Sequence, residues 1–331
     1  MTSRYATRLN SFASAPNLFW PEVSGKISPI DIIKRAATVD GLTDVDLNYP
    51  DHVVGMEKEV KRALDEANIC LSGLAMRYYS LPEFKAGAFT NPDKSVRIEA
   101  IELTKRGIDA AREMGTNLMT IWPGQDGFEV NFQADYTAMW DFMVEGIEAV
   151  ANHDPDCDIS IEYKPDDPRG HSIIPDATTT ILLLKDVGCS NTGVTLDFAH
   201  SLYASEQPAY AATLINRHSR LLGLHLNDGY GKRDDGLMVA AVHPHATLEL
   251  LMEIRRSSFN GPIYFDTFPD TAQLDPVAEC AENIKTCDRL LSVCERLEKD
   301  NQLSEALARQ NSVSGLEIVN SALFGAAPDR S

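Results

Sequence analysis

Short β-branched or aromatic runs alternate along the chain with longer stretches of helical period. The strand-like runs are PNLFW (16–20), DVDLN (44–48), ICLSGLAM (69–76), NLMTIW (117–122), DISIEYK (158–164), GVTLDF (193–198), LLGLHL (221–226) and PIYFDT (262–267). Each is followed by a segment whose apolar positions fall three and four apart, such as ISPIDIIKRAATV, KSVRIEAIELTKRGIDAAREM or YTAMWDFMVEGIEAVA. Eight such strand–helix units predict an α/β chain closed into a (β/α)₈ TIM barrel. The competing arrangement, an open doubly wound sheet, needs a glycine-rich phosphate turn after its first strand, and FWPEVSGK is a poor one. The barrel is expected over residues 1–300, with a C-terminal helical extension over 301–331. That extension is amphipathic and requires a surface to cover, on the barrel or on a neighbouring subunit, so a homodimer or homotetramer is expected.

One strand carries an unusual pattern. In ISIEYKP, Ile159, Ile161 and Tyr163 share one face, while Ser160, Glu162 and Lys164 share the other. A wet face with a weak surface salt bridge is one reading. A metal ligand with an electrophilic helper beside it is the other. Barrel chemistry gathers at the C-terminal ends of the strands, and those ends form a consistent set. Strand five ends in Glu162 and Lys164, and strand six in Asp197 with His200 three residues on. Strand seven carries His225, then Asn227, Asp228 and the pair Asp234-Asp235; strand eight ends in Asp266. Any one of these alone reads as a helix cap, turn former or rim residue. Carboxylates converging from adjacent strands are costly to bury unless a cation holds them. Oxygen-rich ligation with one or two imidazoles suits Mn²⁺, Mg²⁺ or Co²⁺, with Zn²⁺ a further choice.

Composition narrows the function. A hydrophobic fraction of 44% and a charged fraction of 24% fit a soluble globular chain. A net charge of −19, with no basic stripe among 30 Lys and Arg, argues against nucleic acid. No apolar run approaches the ~18 residues of a membrane span, and MTSRYATRLNSFASAP lacks the apolar stretch of a secretory signal. The six cysteines form no CxxC pair; Cys280, Cys287 and Cys294 recur every seventh residue, as one stripe of a helix. Buried free thiols suit a reducing cytoplasm, the expected compartment.

These motifs together resemble the xylose isomerase-like barrels, the group containing xylose isomerase, rhamnose isomerase and the ketose 3-epimerases. LPEFKAGAFTNPD (81–93) is similar to the loop that supplies a substrate-facing Phe, here Phe89, and IWPGQDGFE (121–129) to the strand-four segment with the pocket Trp, here Trp122. IEYKP matches Glu-x-Lys-Pro, LDFAH the carboxylate-x-x-His, HLND with DDG the second-metal loop, and YFDTFP the last-strand Asp. The resemblance implies that Glu162, Asp197, His225 and Asp266 hold one divalent metal, with Mn²⁺ the first choice. It implies a second metal on Asp197, His200 and Asp235, with Asp234 one residue of register away. Lys164 is then the catalytic cation that polarises a substrate oxygen, working with Glu162 and Asp266. Where xylose isomerase has a ring-opening His on strand two, this chain has Asn48, which cannot act as an acid or base at neutral pH; His52 is the nearest replacement.

The implied activity is aldose–ketose isomerisation of a small sugar, with hydrogen moving between C1 and C2. A ketose 3-epimerase, using metal-bound carboxylates as acid and base, is the alternative, followed by a C-glycoside-cleaving subunit. The related barrel endonuclease needs more His ligands and a basic face, and both are lacking. Substrate contacts are expected from Trp122, Phe89, Asn48, His52 and Arg77, with Tyr78, Arg169, His171 and the 229–243 loop at the rim. The absence of a glycine-rich phosphate loop points to an unphosphorylated sugar.

Overall fold

A computed structural model describes residues 4–23 and 25–325. Eight parallel strands run around one sheet: β1 (Tyr5–Thr7), β2 (Asp44–Tyr49), β3 (Cys70–Met76), β4 (Leu118–Ile121), β5 (Asp158–Glu162), β6 (Thr192–Asp197), β7 (Leu221–Leu226) and β8 (Ile263–Phe265). They neighbour one another in chain order, and β8 returns to pair with β1. The seam between β1 and β2 is closed by a bridge of Arg8 with Asp46 and by the Thr43 N–H donating to the Tyr5 carbonyl at 3.1 Å. The result is the expected (β/α)₈ barrel. β2 and β6 are buried along their whole length, as parallel strands covered on both faces must be.

The first strand is not the predicted one. Residues 16–20 lie outside the sheet, and Pro16–Phe19 forms a short helix with Pro16 in its first turn. Proline fits that position because its missing N–H would be unpaired there anyway. The true β1 is three buried residues between Arg4 and Arg8, too short to show alternation.

Eight helices pack outside the strands: α1 (Pro29–Ala36), α2 (Glu57–Ala67), α3 (Lys94–Met114), α4 (Tyr136–Ala151), α5 (Ala177–Val187), α6 (Pro208–His218), α7 (Pro244–Arg256) and α8 (Pro276–Leu297). Their ends follow local chemistry. Ser28 and Asp31 cap α1 reciprocally, Asp93 caps α3, and Gly115 ends it at a φ of 92°. Cys280, Cys287 and Cys294 are free thiols buried along α8. Two further helices, α9 (Asn301–Ala308) and α10 (Ser312–Phe324), lie against α7 and α8. His245 meets Asn320 at 2.7 Å, and Arg296 donates to the Ala322 carbonyl at 3.0 Å. Residues 326–331 of the expected extension fall outside the described residues.

Candidate metal centre

Glu162 and Asp197 end β5 and β6, His225 lies within β7, and Asp266 follows β8. Asp197 and His225 face each other across the ladder, and Tyr264 pairs with His225. Each of the four residues offers one ligand atom within 4.8 Å of the others. His225 Nδ1 stands 3.3 Å from Glu162 Oε1 and 3.9 Å from a carboxylate oxygen of both Asp197 and Asp266. Neighbours fix these side chains. Asn227 donates to Asp197 Oδ2 at 3.0 Å and to the Asp266 carbonyl at 3.0 Å, while its own Oδ1 accepts from Ala199 N–H. Asp197 also caps the short helix Phe198–Tyr203 by accepting from His200 N–H at 2.9 Å. The LDFAH spacing therefore sets His200 one turn from the carboxylate, its Nδ1 3.6 Å from Glu162.

Electrostatics show a site that demands positive charge. Burial pushes Asp197 up to about 7 against the pull of His200. Burial lowers His225, but Glu162, Asp266 and Asp197 outweigh it and hold the imidazole at about 9. His200 is driven likewise to about 10, chiefly by Asp197 and Asp234 acting against burial. His225 Nδ1, His200 Nδ1 and Asp266 Oδ1 are buried without hydrogen-bond partners among the described residues. Converging carboxylates with orphaned donor atoms fit a divalent cation, which takes the place of those protons.

The acidic loop presents Asp234 to the centre rather than Asp235. Asp234 Oδ2 stands 3.1 Å from His200 Nε2 and 3.3 Å from Lys164 Nζ. Asp235 turns back into its own loop, accepting from Tyr230 N–H and pairing with Arg233, each at 2.8 Å. Lys164 also reaches Asp167 at 3.1 Å and lies 5.3 Å from the centre of the Trp122 ring.

A cleft of about 500 Å³ opens above this group, lined by Glu162, Lys164, His200, Asp234 and Asp266, with Trp122 and Arg77 on its walls. Phe89 is absent from it. The ring is fully buried, 5.5 Å from Tyr78, with Gly146 of α4 leaving room for it. Asn48 works at one remove, its Oδ1 accepting from Arg77 Nε at 2.8 Å. His52 is buried behind it and accepts from Asn48 N–H at 3.2 Å. Arg169 pairs with Glu129 at 2.7 Å, and His171 stacks on Phe128. Further cleft residues are Arg8, Tyr79, Gln125, Asp167 and Phe268. Arg8 follows β1 directly, so placing the first strand at Tyr5–Thr7 is what would have revealed it.

Residues 36–290 match the family described as Xylose isomerase-like TIM barrel. The chain belongs to this family. Within it, the chain is 26% identical over 262 residues to the xylose isomerase of Thermus thermophilus, covering 75% of this chain and 68% of that protein. It is 27% identical over 215 residues to the xylose isomerase of Thermus caldophilus, covering 63% of this chain and 56% of the relative. Among solved structures it is similar in fold to a D-tagatose 3-epimerase-like protein, with a TM-score of 0.71 at 13% identity over 88% of this chain and 98% of the other. A D-allulose 3-epimerase from Methylomonas sp. in complex with D-allulose superposes with a TM-score of 0.65 at 13% identity, covering 87% and 97%. In this xylose isomerase-like barrel, the buried Glu162, Asp197 and His225 and the half-buried Asp266 form a group consistent with a divalent-metal site.

Proposed function

We propose that this chain is a divalent-metal-dependent sugar isomerase that interconverts an aldose and a ketose by moving hydrogen between C1 and C2. The position of Lys164 carries the reading. Its ammonium lines the same cleft as the ligand carboxylate Glu162, and Asp234 and Asp167 accept from Nζ and fix its direction. When bound at Glu162, Asp197, His225 and Asp266, a divalent cation supplies Lewis acidity toward the sugar oxygens. Lys164 donates to the oxygen on the carbon that changes oxidation state and stabilises the charge that develops there. Trp122, Tyr79 and Phe268 wall the cleft and exclude water from the reacting carbons. The two Thermus xylose isomerases support this reading by sequence.

A ketose 3-epimerase is the second reading. Among the described residues a single four-residue group converges, while His200 and Asp234 are tied to each other. A one-cation reaction with Glu162 and Asp266 as acid and base suits that arrangement, and the epimerase folds named above support it. Lys164→Met separates the two. The isomerase reading expects turnover to fall by about 10²–10³ while calorimetry shows the cation still bound. Full activity in that variant sinks it.

A further inference from the structure

Arg8 and Arg77 line the same cleft as Lys164. β1, which precedes Arg8, lies across the ring of strands from β5, which precedes Lys164, while β3, which precedes Arg77, lies between them. Lys164 is hydrogen-bonded to two carboxylates, whereas among the described residues Arg8 meets one only as a longer ion pair and Arg77 meets none. Arg8 makes no side-chain hydrogen bond among the described residues; its Nε lies 3.7 Å from Asp266 Oδ1, out of hydrogen-bond reach. Arg77 forms no ion pair among them, and its Nε donates to the neutral amide of Asn48. Aromatic rings steady both groups: Arg8 sits 4.7 Å from the centre of the Phe268 ring, and Arg77 5.9 Å from that of Tyr79. In a chain of net charge −19, two ring-steadied guanidiniums without a hydrogen-bonded carboxylate are a built acceptor for an anion. Their planar, forked donors match carboxylate or phosphate oxygens.

We propose that the substrate is an acidic sugar. It bears a carboxylate or phosphate at the end remote from its reacting carbons, and Arg8 with Arg77 receives that anion. The proposal rests on the isomerase reading for the other end of the substrate, which Lys164 meets. A carboxylate would keep the expectation of an unphosphorylated sugar, a phosphate would overturn it, and the test sets both anions against none.

The experiment uses the full chain loaded with Mn²⁺ and three sugar series, gluco, galacto and manno, each as free aldose, uronate and 6-phosphate. Calorimetry reads binding and a ketose assay reads turnover. In at least one series the acidic member should bind at least about tenfold more tightly than the neutral aldose, and the better acid distinguishes carboxylate from phosphate. Arg8→Gln should shrink that preference about ten- to a hundredfold, mainly in KM, and Arg8→Lys should restore part of it. Neutral aldoses binding as well as both acids overturns the proposal. So does an Arg8→Gln variant that weakens neutral and acidic sugars equally, which makes Arg8 a positioning residue for Asp266. Preferential binding of the acid with no ketose formed leaves this proposal standing and removes the isomerase reading; the reverse pattern does the opposite.

Discussion

Asp197 is fully buried, held by Asn227, and pushed up to about 7 by burial, so a bound cation should stabilise the fold measurably through this residue. With a divalent cation at about a hundred times its dissociation constant, ligand linkage contributes about 2.7 kcal/mol. An unfolding entropy of about 2.1 cal/mol/K per residue comes to about 0.7 kcal/mol/K for a chain of 331 residues. The melting temperature should therefore rise by about 4 °C, with about 2 °C more for each further tenfold in cation. The assay is scanning calorimetry after treatment with a chelator, followed by titration of Mn²⁺, Mg²⁺, Co²⁺ and Zn²⁺ in turn. Asp197→Asn keeps an oxygen to cap the Phe198–Tyr203 helix but removes the ligand charge. It should still fold without cation, although its new Nδ2 faces the Asn227 amide that donates to Oδ2 in the parent, and it should lose the cation-induced rise. A parent protein that gains nothing from any of the four ions refutes the reasoning. So does a variant that gains as much as the parent.

Two further outcomes follow from the geometry. Asp234→Asn should cost about 10² in kcat, whereas Asp235→Asn, which breaks only loop contacts, should cost about 1 kcal/mol of stability and little activity; steady-state kinetics on both variants checks this, and the reverse order contradicts the placement. Burial and Arg77 hold His52 down at about 4, below its usual 6.5, so its contribution is complete above pH 6.5 and is lost as pH falls through 4. The span is worth about 3 kcal/mol, and His52→Gln should flatten the fall of urea midpoints between pH 7 and 4.5; an unchanged slope argues against it.

Seven of the eight strands were legible because an apolar or β-branched run stands out between helical periods, even where the strand itself is as short as β8. β1 was not, because Tyr5–Thr7 sits between Arg4 and Arg8 with no apolar run around it, and Pro16 lent a short helix the look of a strand start. That one displacement also hid Arg8. The strand-end residues were legible because a strand's C-terminal end fixes which rim a side chain reaches, and the structure gathers Glu162, Asp197, His225 and Asp266 there. Loops offer no such constraint. Asp234 and Asp235 are adjacent in a loop closed by the Asp228–Leu237 bridge, and only its path decides which carboxylate faces Lys164. Phe89 reads as a pocket wall from its motif, yet Tyr78 and Gly146 draw it into the core.

The central claim is that a cation-loaded centre and Lys164 together move hydrogen between C1 and C2. The most direct measurement incubates the Mn²⁺-loaded protein with neutral and acidic aldoses carrying deuterium at C2, and separately with the matching ketoses, and follows the products by NMR. The account predicts a cation-dependent ketose, with the label transferred to C1 or washed into solvent. A cation-dependent inversion at C3 of a ketose, with no aldose formed from it, would contradict the account.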